Sequence, residues 1–230
     1  MKTLFYKRTA YSIFSMPVPK CFIELDDYFD KLFPSTKGLF HPSVQLAENL
    51  CHRMGDVEVY ARYISEEEKS SDTLKAAIFI GTLLVGFFTS CKSVLDAGAI
   101  ALNTIYNLEL PERDQDFGKG KILTKLRGKT GDVIYDRYRE FKNLIDEIIN
   151  WRDSAIHRHT PFVLSHGPRG AREKQEIKLA NHLDMDLNTV ARKLKSINWV
   201  KPLYYHKKWQ DQLIAFCSEI CLDIRGQTVE

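Results

Sequence analysis

The sequence predicts an all-α protein, a bundle of about four long helices with extra helices toward the C-terminus. Three observations lead there. Apolar residues recur at three- and four-residue intervals over windows longer than a strand usually runs. Stretches that alternate apolar and polar residues, the mark of a half-buried strand, are few. With 230 residues and 44% hydrophobic composition, the chain can bury a sizeable core, which one-sided helices do by packing on one another.

The first long helix runs from about Pro42 to Ile64, where Val44, Ala47, Leu50, Met54, Val57, Ala61 and Ile64 share one face. The acidic stretch from Ser65 to Asp72 breaks that period as a solvated turn, and Asp72 is placed to cap the next helix. That second helix, about Thr73 to Asn107, is the most hydrophobic element and therefore central to the bundle. Its most apolar part, Ala76 to Phe88, is shorter than the ~18–20 residues that cross a bilayer, so it reads as a buried helix with no membrane role. Pro111 and the polar stretch up to Lys121 end it.

The third helix begins near Asp132 and reaches Arg158 or His159, because Pro161 disfavours helical geometry at Thr160. Its stripe is Ile134, Tyr138, Phe141, Ile145 and Ile148. The loop from Leu164 to Lys174 bears glycine and arginine but lacks P-loop spacing, so nucleotide hydrolysis is not expected. A shorter helix is expected over Leu187 to Asn198, an extended or hairpin segment from Trp199, and a final helix from about Trp209 to Ile224. Arg192, Lys193 and Lys195 lack the partner helix and tight turn of a DNA-reading element.

A formal charge of +3 is too mild to indicate nucleic-acid binding by itself, so any basic footprint must be local. From Phe117 to Lys142 there are eight Lys or Arg against three acids, which form either a backbone-tracking surface or an ordinary solvated face. Five cysteines without Cys-x-x-Cys spacing argue for reduced thiols rather than a disulfide framework. Cys217 and Cys221 fall four apart in an apolar helical run and read as small buried residues, not as a metal or redox pair. Lys7-Arg8 and polar neighbours interrupt any apolar run near the N-terminus, so no secretory signal is read and a cytoplasmic location is expected.

Two residues break the pattern of the central helices. Arg152 takes the next position of the third helix's apolar stripe. A guanidinium there needs an anion, a wet cleft or an exposed helix end, where it snorkels and suits the helix dipole. On the second helix, Thr89, Ser93, Asp96, Ile100, Asn103 and Asn107 recur at helical spacing, with Asp96 the one carboxylate between Thr73 and Leu108. Such a stripe either packs tightly with its side chains bonded to backbone or lines a polar cleft facing Arg152. His157 follows Arg152 by five positions, which is ~140° around a regular helix. The two side chains cooperate only if the last turn loosens or a second copy supplies one of them across a two-fold axis.

The run "WRDSAIHR", Trp151 to Arg158, resembles the signature of the HEPN (higher eukaryote and prokaryote nucleotide-binding) superfamily: arginine, a polar residue, then histidine at the end of a long bundle helix. Here these are Arg152, Asp153 and His157. The stretch "CKSVLDAGAIALN" from Cys91 is similar to the serine and aspartate run on the preceding helix of some HEPN branches. The resemblance covers about Leu74 to Pro161. It implies a HEPN-like bundle over 41–165. Outside it the residues alone are read: the aromatic-rich N-terminal arm over 1–40 packs on the bundle or on a second subunit, and 166–230 is a C-terminal helical extension of the same domain.

The resemblance further implies a homodimeric, metal-independent endoribonuclease with its cleft at the subunit interface, acting as a toxin or antiviral effector with an antitoxin or regulatory partner. RNA is the implied partner and no cofactor is expected. Cleavage by the RNA's own 2′-hydroxyl leaves 2′,3′-cyclic phosphate ends; it needs a proton acceptor, a donor to the leaving 5′-oxygen and positive charge on the phosphorane. Imidazole exchanges protons near neutral pH and guanidinium donates in a fork that fits phosphate oxygens. His157 is thus assigned acid/base work and Arg152 phosphate stabilisation, with Asp153 and Asp96 orienting or tuning them. Arg158, His159, Lys92, Ser93 and Lys142 are the expected RNA contacts. Family members that are modified carry tyrosine two positions after the histidine; His159 stands there, so that regulation is not expected. The alternative is a non-catalytic RNA-binding or protein-interaction module on the same scaffold, with Arg152 pairing with Asp96.

Overall fold

A computed structural model describes residues 9–33, 41–157, 161–166, 176–181, 192 and 196–227. Its described part is mostly helical. In chain order the helices are α1 (Ala10–Ile13), α2 (Lys20–Leu32), α3 (Pro42–Glu67), α4 (Thr73–Ile105), α5 (Lys121–Thr130), α6 (Asp132–Arg139), α7 (Lys142–His157) and α8 (Tyr204–Gln227). Strands β1 (Val163–His166), β2 (Glu176–Ala180) and β3 (Trp199–Val200) lie between α7 and α8.

The cause of the bundle is the apolar face of each helix. All seven residues expected on the inner face of α3 are buried. Pro42 occupies its first turn, and the His41 ring accepts a hydrogen bond from the Ser43 N–H at 3.3 Å. Asp72 caps α4 by accepting from the Lys75 N–H at 3.1 Å. At the other end Asn107 takes a left-handed conformation (φ 44°), which lets the Leu108 N–H return to the Asn103 carbonyl at 3.0 Å and closes the helix.

The 33 residues of α4 run through the centre, against α3, α7, α8 and the sheet. By length and mean hydropathy (1.8 over its most apolar window) α4 meets the measure of a membrane span, and just over half of that window is covered by the rest of the chain. Two glycines set the closeness of its neighbours. A Cβ on Gly86 would fall 2.2 Å from Tyr60 on α3, and one on Gly98 would fall 2.6 Å from Phe216 on α8. The arm joins the same core: Tyr11, Phe22, Leu25 and Phe29 are all buried.

Four features differ from the sequence expectation. The long third helix is two, α6 and α7, with a tightened turn at Glu140 and Phe141, where the Phe141 N–H reaches the Tyr138 carbonyl rather than the residue before it. The stripe stays on one side across that turn, because Glu140 keeps helical geometry (φ −59°, ψ −28°). Second, α5 occupies part of what reads as a polar connection, anchored by buried Ile122 and Leu126. Third, the chain is not purely α. β1, β2 and β3 form an antiparallel sheet in that order, pairing Val163 with Leu179 and Leu179 with Val200. Ile177 and Leu179 turn inward toward the core, while Ser165 bonds to Thr73 at 2.9 Å. The final helix starts five residues early, at Tyr204, so the expected extended segment shrinks to β3. The helix expected over Leu187 to Asn198 falls largely outside the described residues.

A half-buried ion pair fastens α6 to α8. Asp223 accepts from the Tyr138 hydroxyl at 2.6 Å and from Arg137 at 2.9 Å, and Arg137 also reaches Glu219 at 2.9 Å. Asp223→Ala strands a buried phenol and half the guanidinium. Because Arg137 is 31% exposed and keeps Glu219, the expected loss is about 2–3 kcal/mol, less than for a wholly buried pair. Urea unfolding measures it, and a loss below about 0.5 kcal/mol would mean the pair does not fasten the helices.

Candidate functional site

The outer face of α4 is where the central helix meets solvent. Thr89 and Ser93 point along it, but their hydroxyls donate to backbone carbonyls one turn back, Thr89 to Val85 at 2.8 Å and Ser93 to Thr89 at 3.0 Å. Asn103 is likewise committed, its side-chain oxygen accepting the Leu110 N–H at 3.0 Å. Lys92 and Asp96 are the groups of this stretch with side-chain charge.

Lys92 is only 11% exposed and is hydrogen-bonded to Asp96, with Asp116 also 3.4 Å from its ammonium. Asp116 sits in a short 3-10 turn after α4, where it also accepts the Gly118 N–H at 2.6 Å. Sequence reading did not single out Asp116. The signal was present as Asp-x-Gly, a spacing at which a carboxylate bonds the backbone two residues on.

Arg152 comes to this group from α7. Trp151, its neighbour, stacks on Phe88 of α4 with ring centroids 5.2 Å apart, which fixes the two helices side by side. The Arg152 guanidinium is 31% exposed and donates to Asp153 at 2.8 Å, while its Nε is buried with no hydrogen-bond partner among the described residues. Asp96 feels the result. Burial raises its pKa, Asp116 adds to the rise, and Lys92 and Arg152 oppose it. Lys92, Asp96, Asp116, Arg152 and Asp153 therefore form one electrostatic cluster.

Other expected residues stand apart. His157 ends α7, exposed and without a hydrogen bond to a described residue. The helix stays regular through it, so within one chain the ~140° divergence from Arg152 remains. Lys142 is ten residues before Arg152, roughly 15 Å along the axis, and pairs with Asp146. Arg158 and His159 lie outside the described residues.

The cluster is an open face rather than a pocket. A cavity of about 470 Å³ lies elsewhere, between the arm, α3 and α8, where Glu58 holds His206 at 3.1 Å and Gln210 at 3.2 Å. Another, about 620 Å³, opens between α7, α8 and Asn181. Among the described residues no group of three or more His, Cys, Asp or Glu is arranged to hold a metal ion.

Among known proteins, the chain matches no family model, no curated protein and no solved structure.

The raised Asp96 pKa has a definite sign. A carboxyl that binds its proton more tightly in the folded chain contributes stability below the ordinary carboxylate range, and that contribution is lost as pH rises through the raised value. Asp96→Asn is therefore expected to melt no lower than the parent at neutral pH and to flatten the Tm profile above pH 4. Lys92 keeps Asp116 in that variant. A clear drop in Tm at pH 7 would show that the Lys92 pair outweighs burial.

Proposed function

We propose that this chain is a metal-independent endoribonuclease of HEPN type, working as a homodimer whose cleft joins Arg152 of one subunit to His157 of the other. The observation that carries the reading is Arg152: a half-buried guanidinium on a core stripe, at the open edge of two packed helices, its Nε without a hydrogen-bond partner among the described residues. A phosphate oxygen is the kind of acceptor such a group takes.

The regularity of α7 supports the dimer. Since Arg152 and His157 diverge on one helix, a site that uses both needs two helices. The surface around the cluster supports it too. Ile100, one turn beyond Asp96 on α4, is 38% exposed, and Ile156, one turn beyond Arg152 on α7, is 42% exposed. Apolar side chains beside a charged cluster suit a second subunit that excludes water from the cleft.

In this mechanism Arg152, backed by Lys92, carries the charge that gathers on the phosphoryl oxygens, and His157 takes the 2′-hydroxyl proton or delivers one to the departing 5′-oxygen. Asp153 holds the guanidinium in orientation. Asp96 and Asp116 hold Lys92. A toxin or antiviral effector of this kind is kept in check by a regulatory partner.

A non-catalytic RNA-binding module remains the second reading, favoured by the bond Arg152 already makes to Asp153. Purified protein with mixed-sequence RNA in EDTA separates the two. Arg152→Ala and His157→Ala are each expected to lower cleavage at least about a hundredfold with Tm unchanged and 2′,3′-cyclic ends lost. Mixing the two variants is expected to restore about a quarter of the activity, since half the dimers then hold one intact site. Full activity in both variants overturns the nuclease reading, and absent complementation overturns the shared cleft.

A further inference from the structure

The helix pair α2 and α8 carries a second chemical feature, remote from Arg152. Four cysteines, Cys51, Cys91, Cys217 and Cys221, are buried, and Cys21 is partly exposed. Cys21 is the second residue of α2, and it lines a cavity of about 210 Å³ together with Lys20, Glu24, Ser218, Cys221 and Arg225. The two helices run in the same direction. Seven residues on from Cys21, the Tyr28 hydroxyl meets the Arg225 carbonyl at 3.4 Å, and the Arg225 guanidinium lies 5.1 Å from the Tyr28 ring centre. In that register Cys21 and Cys221 line the same cavity from facing helices.

The two thiols are unlike. A hydrogen bond from Cys221 lowers the Cys21 pKa, more than burial raises it, and Ser218 and the Phe22 backbone N–H lower it further. Cys221 is pushed the other way, by its contact with Cys21 and by burial. A partly exposed thiol in the first turn of a helix, open to a small cavity that a second, buried thiol also lines, is arranged to react first and be resolved second.

We propose that Cys21 is a hydroperoxide-reactive thiol and that Cys221 resolves it, forming a disulfide that ties the N-terminal arm to the last helix. The Cys21 thiolate attacks the terminal oxygen of the hydroperoxide, the S–O bond forms as O–O breaks, and the leaving alkoxide or hydroxide takes a proton. The Cys221 thiol then gives up its proton and attacks the Cys21 sulfur. The S–S bond forms, S–O breaks, and hydroxide leaves with that proton as water. Two electrons pass from the thiols to the peroxide, so no further oxidant is needed.

The test treats the whole protein with hydrogen peroxide, blocks free thiols with iodoacetamide, and maps unreduced peptides by mass spectrometry. One cross-linked pair, Cys21 with Cys221, two hydrogens lighter and reopened by dithiothreitol, is expected. Before oxidation, iodoacetamide should label Cys21 at least about tenfold faster than Cys221. In Cys221→Ser, dimedone should trap a sulfenic acid on Cys21, and in Cys21→Ser no intramolecular disulfide should form. Because the mapping is done on the parent chain, it stands even if a variant folds poorly. Peroxide that leaves both thiols free, or that links Cys221 to Cys217 instead, overturns the proposal.

Discussion

The close packing of α4 is the constraint from which the rest of the structure follows. At Gly86 and Gly98 there is no space for a side chain, because Tyr60 and Phe216 occupy it. Those two contacts let α3 and α8 approach from different sides while α7 takes a third through Phe88 and Trp151. A helix so enclosed keeps a narrow outward strip. Charge on α4 after its first turn is confined to that strip, at Lys92 and Asp96, since unpaired charge on any other face would be buried.

The cluster on that strip nearly balances its own charge: Lys92 and Arg152 against Asp96, Asp116 and Asp153. Balance is what permits partial burial, because an uncompensated ion at such depth is costly. Among the described residues it is incomplete at Arg152 Nε, where an unmade hydrogen bond costs about 1–3 kcal/mol. The same balance weakens non-specific attraction, which fits a chain whose net charge is only +3.

Helices with one apolar face were legible because burial imposes a 3.6-residue period that side chains must follow. The stripe from Ile134 to Ile148 led directly to Arg152, and the Asp72 cap was readable from its position alone. The sheet was not. β1 is four residues long and β3 two, too short for alternation to stand out from loop. β2 does alternate, with Ile177 and Leu179 buried and Lys178 between them, yet five residues are matched equally well by chance. α5 was hidden by its charge, since only Ile122 and Leu126 of its ten residues are buried. Within the site, Asp96 and Arg152 were found because they stand out from apolar helix patterns, while Asp153 came with the resemblance carried by the run from Trp151 to Arg158. Asp116 lies in a polar stretch, where one more carboxylate interrupts nothing, and its meeting with Lys92 depends on how the chain turns after α4.

The aromatic packing that seats α7 on α4 has an optical consequence. Trp151 and Trp209 lie in one buried group with Phe87, Phe88 and Tyr205; Trp209 stacks on Phe87 at 6.1 Å, and Tyr205 touches both indoles at 4.6 and 4.8 Å. Trp199 is half-buried in the sheet with Phe162. Near-ultraviolet light thus sees two separate reporters: coupled indoles at the junction of α4, α7 and α8, and a lone indole on the sheet. The colour and polarisation of the chain's own emission distinguish loosening of the bundle from movement of the strands, with no label attached.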